Sequence, residues 1–118
     1  MASTFVGTWI VGDSSKALTY TLKNRTTGTP VDWTSAVSLK FEYRRTGTSG
    51  SSEWTEATAS ASATPSDGTL TVFPGTIAGM APASTGAQRY EFRFKGTDQN
   101  SIVWFGPDDG ADALDVTT

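Results

Sequence analysis

AVSLKFEYRR, residues 36–45, alternates without a slip: Val37, Leu39, Phe41 and Tyr43 on one parity, Ser38, Lys40, Glu42 and Arg44 on the other. Successive side chains of a strand point to opposite faces, so this spacing predicts a strand with one buried and one wet face. QRYEFRFK, residues 88–95, repeats the pattern, with Tyr90, Phe92 and Phe94 against Arg89, Glu91, Arg93 and Lys95. Further out, KALTYTLK (16–23) turns Leu18, Tyr20 and Leu22 inward, and TLTVF (69–73) places Leu70 and Val72 behind an SDG turn. ALDV (113–116) closes the series with Leu114 and Val116.

Other segments are less regular. FVGTWIV (5–11) carries Gly7, which suggests a bulge or a close approach. EWTEATASASA (53–63) alternates Ala57, Ala59 and Ala61 and predicts an edge strand with a thin apolar face. FPGTIAGMAPASTG (73–86) fits either a short helical turn around Ile77 to Met80 or an irregular loop. No segment keeps a 3.6-residue apolar period for three turns. Turn signals such as NRTTGTP, TGTSGSS, SDG and KGTDQN recur every ten or so residues, the spacing of an antiparallel sandwich or barrel. The expected fold is one domain, residues 1–118, an all-β antiparallel immunoglobulin-like β-sandwich of seven to eight strands, with a small barrel as second choice.

Composition narrows the chemistry. The 118 residues include no cysteine and no histidine, which removes thiolate metal sites, the commonest zinc ligand and the commonest general base. Nine Lys and Arg are scattered against twelve Asp and Glu, for a net charge of −3, so no basic stripe marks a nucleic-acid partner. MASTFVGTWIVGDSS lacks the basic n-region of a signal peptide, and no stretch approaches the roughly 20 apolar residues of a membrane helix. The expectation is a soluble protein made in the cytoplasm, or exported by a route that leaves no leader, with no nucleic-acid or membrane partner.

The candidate chemical groups are few. Asp108, Asp109, Asp112 and Asp115 are oxygen ligands by type, but GPDDG (106–110) lacks a calcium-loop spacing and reads more simply as a proline-initiated turn. Glu53 and Glu56 flank Trp54, yet on one strand they are out of phase, unlike a glycosidase pair sharing a cleft. No GxSxG, SxxK or Gly-rich phosphate loop occurs. No enzyme, cofactor or metal site is expected. Four tryptophans remain: Trp9, Trp33, Trp54 and Trp104. Trp104 and Phe105 are adjacent, so one faces in and one out, while Trp54 is out of phase with Ala57 and Ala59. Aromatic residues of this kind fill cores or protein interfaces, or stack on sugar rings.

The landmarks also come in a particular order. GDSSKALTYTLKNRTTGTPVDWTSAVSLKFEYRR (12–45) is followed by SDGTLTV (66–72) and then TGAQRYEFRFKGTDQNSIVWFGPDDGADALDV (85–116). A Gly-Asp entry leads into a Tyr-Thr-Leu strand, and a Gly-Thr-Pro-Val-Asp turn restarts the chain. Gly28 supplies the reversal there, Pro30 sets φ, Asp32 accepts backbone amides, and Val31 and Trp33 share a face. An Asp-Gly turn, a Tyr-Glu-Phe strand, a short hairpin and an aromatic exit complete the order. From about Trp9 to Val116 the chain resembles the immunoglobulin-like domain at the N-terminus of phage baseplate upper proteins, and small tailed-phage virion proteins built on it.

The resemblance implies a non-enzymatic structural component of a tailed-phage virion (tail or baseplate, neck, or capsid surface), made in the host cytoplasm. Its partners would be other virion proteins in a symmetric assembly. Contact would come from an edge strand or an aromatic patch, with Trp54, Trp104, Phe105 and Trp9 as interface candidates and loop 46–52 ordering on docking. Baseplate upper proteins continue into a coiled shaft and a receptor-binding or docking region, and no such segment is expected here. The competing expectation is a carbohydrate-binding module that stacks surface glycans on exposed tryptophans.

Overall fold

β3 (Ser38–Arg45) and β7 (Ala87–Thr97), the two strictly alternating segments, form the centre of the larger of two sheets. They pair antiparallel from Ser38–Thr97 to Arg45–Tyr90. The computed structural model describes residues 4–46, 53–80, 82, 86–107 and 111–118. Around that pair, in chain order, lie β1 (Phe5–Ile10), β2 (Leu18–Thr21), β4 (Thr55–Thr58), β5 (Ser60–Ala61), β6 (Thr69–Val72), β8 (Val103–Gly106) and β9 (Asp112–Thr117). Among the described residues there is no α-helix, only 3-10 turns at Pro65–Asp67, Pro74–Thr76 and Ala78–Met80. The chain is all-β.

The larger sheet runs β1-β9-β7-β3-β4, with β8 also on β7, and the smaller runs β2-β6-β5. One pairing departs from the antiparallel expectation: β1 lies parallel to β9. Side-chain parity does not depend on a neighbour's direction, so alternation carries no information about this. The nine strands among the described residues exceed the seven to eight expected because EWTEATASASA splits. β4 pairs with β3 at the edge of the larger sheet. The Ala59 amide then bonds the Leu39 carbonyl, and Ser60 and Ala61 join β6 in the other sheet. A buried side chain as small as alanine lets the backbone pass between layers at that point.

Two later strands share β7. β8 pairs with β7 only from Phe94–Gly106 to Thr97–Val103, and β9 takes Ala87 to Phe92 of the same strand. Pro107 has no N–H to give a ladder, so pairing stops there and resumes at Asp112. The interrupted strand therefore stays on one sheet. Asp108 and Asp109 of the acidic turn, and 47–52 of the expected docking loop, lie outside the described residues.

Two glycines carry out what their surroundings demand. Gly68 (φ +78°) closes the 3-10 turn, and a Cβ there would come within 2.6 Å of the Leu22 carbonyl oxygen. Asp67 accepts the Thr69 amide at 2.8 Å, so the SDG turn launches β6 as its residues predict. Gly7 (φ +142°) sits where the β1–β9 register slips between Phe5 and Thr8.

The core lies between the sheets. Leu18, Leu22, Leu70 and Val72 from the smaller side meet Phe41, Tyr43, Tyr90, Phe92, Phe94, Leu114 and Val116 from the larger. Phe41 has the Phe92 and Phe94 rings at 5.4 and 5.3 Å. Trp33 is buried and donates its indole N–H to the Gly68 carbonyl at 3.0 Å, tying the Gly-Thr-Pro-Val-Asp turn to the start of β6. Val37, first of the alternating set, lies one residue outside β3 and is 66% exposed. Parity buries a side chain only where a second layer covers it.

Candidate interaction surface

The outer face of the larger sheet collects the wet parity of several strands. Lys40, Glu42 and Arg44 come from β3, and Arg89, Glu91, Arg93 and Lys95 from β7. Phe105 on β8 sits opposite Lys95. Trp54 lies just before β4, whose Thr55 is opposite Tyr43, so it stands beside Arg44.

Arg93 organises this face. Its Nε donates to Glu42 Oε1 at 2.6 Å. Its guanidinium carbon lies 4.4 Å from the Trp54 ring centre and 4.6 Å from that of Phe105. Arg44 adds a second guanidinium at 4.2 Å from Trp54 and pairs with Glu91 at 3.5 Å. Contacts of this type contribute about 0.5–1 kcal/mol when exposed and about 2 kcal/mol when desolvated. Toward β1 the theme recurs. Arg89 lies 4.5 Å from the Phe5 ring and holds Asp115 through Nε at 2.8 Å and its second nitrogen at 3.2 Å.

Glu42 belongs to the wet parity yet is only 5% exposed. Glu56 is its cross-strand neighbour on β4, and the Arg93 guanidinium compensates this juxtaposition of like charges. The face is thus an array in which a buried carboxylate fixes a guanidinium that is shared by two rings.

Of the four residues singled out in the sequence, Trp54 and Phe105 are brought together here, on either flank of Arg93. Phe105 is 42% exposed and Trp54 half-buried. Trp9 is 3% exposed and lies in the core. The register slip at Gly7 accounts for this. Phe5 and Trp9 are four apart and would share a face on an unbroken strand, but the extra residue flips parity, so Phe5 faces water and Trp9 the core. Trp9 donates its indole N–H to the Lys16 carbonyl at 3.1 Å, and the Lys16 ammonium lies 4.3 Å from its ring. It offers a partner no contact area.

Trp104 is half-buried and turned toward the core side. Its indole N–H donates to Asp98 Oδ2 at 3.0 Å, while Asp98 Oδ1 accepts the Asn100 and Ile102 amides at 2.9 and 3.0 Å. The Trp104 indole chiefly, with those two amides, holds the Asp98 carboxyl below the usual carboxylate range against its desolvation. Trp104 therefore clamps the β7–β8 hairpin. It also borders a groove of about 350 Å³ with Leu22, Asn24, Arg25 and Phe105, where Arg25 donates to the Phe105 carbonyl at 3.3 Å.

Arg93 was not among the residues singled out. Aromatic residues stand out by area, whereas the value of this arginine depends on the register of β4, β7 and β8 together. Among the described residues, no group of acidic side chains is arranged to hold a metal ion, and no helix is long and apolar enough to cross a membrane. Set against protein-family models, curated proteins and solved structures, the chain matches none.

Proposed function

We propose that this chain is a non-enzymatic structural component of a tailed-phage virion, an immunoglobulin-like β-sandwich that docks on a symmetric assembly through the outer face of its larger sheet. The strand order supports the fold: β2-β6-β5 opposite β9-β7-β3-β4 has the sheet composition of such a sandwich, with β1 added to the second sheet. The virion setting is supported by the order of motifs from Trp9 to Val116, and its partners are other virion proteins at the tail, baseplate, neck or capsid surface.

The observation that carries the docking role is Arg93 held by Glu42 between Trp54 and Phe105. Tryptophan, tyrosine and arginine dominate the energetics of protein interfaces. A guanidinium already fixed by a carboxylate and two rings loses little further freedom on binding. Symmetric repetition then multiplies a modest single contact.

The test is binding of the purified protein to particles that lack it. Saturation at a fixed stoichiometry is expected. Trp54→Ala and Phe105→Ala should each weaken binding about tenfold or more, in line with hot-spot truncations, while leaving the circular dichroism spectrum unchanged. The glycan reading has one observation in its favour, the groove beside Trp104. Retention on a glycan column, glycan-dependent quenching of tryptophan fluorescence and no binding to any virion part would replace docking with that reading.

A further inference from the structure

We propose that the end of the interlayer space, between β3, β7 and the Ala78–Met80 turn, is a binding site for a single carboxylate. Tyr43 and Arg45 are two apart on β3 and share a face, and Arg45 is the register partner of Tyr90 on β7. Two phenols and one guanidinium therefore emerge on the inner side of the sheet at the same end. The Tyr43 and Tyr90 rings meet edge-on, 6.0 Å apart. Tyr43, Arg44, Arg45, Glu53, Trp54 and Tyr90 line a cavity of about 230 Å³ that Gly79 also borders.

Tyr90 is 1% exposed, and its hydroxyl has no hydrogen-bond partner among the described residues. Buried hydroxyls are nearly always paired, so an unpaired one beside a cavity points to a missing partner. Tyr43 places its hydroxyl directly against Gly79, where any Cβ would overlap it. Burial, with Tyr90 adding to it, pushes the Tyr43 hydroxyl up, so this phenol keeps its proton and remains a donor. Arg44 is already committed to Glu91 and Trp54, whereas no ion pair among the described residues engages Arg45.

With Arg44 paired to Glu91, Arg45 is the guanidinium left to face a ligand, and one guanidinium matches a monoanion better than a phosphate dianion. A carboxylate presents two coplanar acceptors, the geometry that a guanidinium fork reads. The cavity is below the range of drug-sized ligands, so the occupant is the size of one side chain. Such a carboxylate comes either from a small free acid or from an acidic side chain of a neighbouring protein. The donors of this site are not those of the docking reading, because Tyr90, Tyr43 and Arg45 lie on the inner face, while Arg44 and Trp54 of the outer face only border the cavity.

The test is a titration of the isotope-labelled full chain with sodium acetate, sodium benzoate and a capped tetrapeptide carrying one glutamate. Sodium chloride and the glutamine version of the peptide serve as controls, with NMR read at Arg45 Nε, the Trp54 indole and the two tyrosine rings. Saturating shifts are expected with carboxylates and none with chloride. Tyr90→Phe should weaken binding at least tenfold while leaving the thermal midpoint equal or higher, because an unpaired hydroxyl is removed. Arg45→Gln should abolish saturation. Tighter binding of the free acids assigns the first source, and tighter binding of the glutamate peptide the second. Should Tyr90→Phe fail to fold, Tyr43→Phe and Arg45→Gln carry the same comparison. Chloride-like shifts in the wild type, or Tyr90→Phe binding as tightly as wild type, would overturn the site.

Discussion

Arg93 and Asp98 each hold a tryptophan to its neighbours, by opposite means. Arg93 neutralises Glu42 and stacks on Trp54, so its removal leaves a buried carboxylate facing Glu56. Arg93→Ala should cost about 1–3 kcal/mol, less than a fully buried pair because its own side chain is partly exposed to water. Arg93→Lys should recover only part of this, since an ammonium cannot bond the carboxylate and stack in one plane. Urea denaturation of the two single variants and the Glu42→Ala/Arg93→Ala double variant measures the coupling. Asp98 instead accepts from the Trp104 indole and two amides, and its carboxyl lies below the usual range. Its stabilising contribution is therefore complete above the ordinary aspartate value and lost as pH falls through the folded one. Asp13 and Asp32 are held low chiefly by the hydroxyls of Ser15 and Thr34, and Asp67 chiefly by the Thr69 amide, so all three act with the same sign. The urea midpoint should stay flat from neutral pH to about 5 and fall below about 4. Asp98→Asn should lower it already at pH 7 and speed amide exchange at Asn100 and Ile102.

At the scale of elements, punctuation matters as much as alternation. Gly68 combines a left-handed φ with a close approach to the Leu22 carbonyl, so Gly68→Ala should cost about 2 kcal/mol or more, measured as a shift in the urea midpoint with unchanged slope. That turn was legible in SDG, as were β3, β7, β2, β6 and the Gly7 bulge, because parity and turn chemistry are local properties of the chain. The consequences of the bulge were not. Which face Trp9 takes depends on the pairing with β9 across more than a hundred residues. Likewise the passage between sheets at Ala59 has no proline or glycine to mark it, unlike the break in pairing at Gly106–Pro107. Of the interaction surface, Trp54 was legible as an aromatic of outward parity, whereas which of Trp104 and Phe105 faces out depends on their register with β7. Arg93 and Glu42 were not legible, because their importance comes from lateral neighbours on three strands. Trp9 and Trp54 now separate by role. Trp9→Ala should cost about 3–5 kcal/mol and spare docking per folded molecule, whereas Trp54→Ala should do the reverse.

For the whole molecule, β7 is the spine: β3 flanks it on one side and β8 and β9 divide the other. Its amides open only when neighbours on both sides separate, so they should exchange with the free energy of global unfolding. β1, β4 and β8 in the larger sheet, and β2 and β5 in the smaller, each have one partner strand and should open first. This gradient converts the docking proposal into a spatial pattern. A partner seated on Trp54, Arg93 and Phe105 covers β4 and β8 from the outer face, so particle-bound protein should gain protection in both of these edges. It should gain none in β5, which lies in the opposite sheet. A glycan lodged beside Trp104 would slow exchange in β8 and residues 23–26 while leaving β4 unchanged, because Trp54 lies across β3 and β7 from that groove. Amide exchange followed by mass spectrometry, on free and bound protein, reads both patterns in one experiment. Protection of β8 without β4 would remove the outer face of the larger sheet as the docking surface.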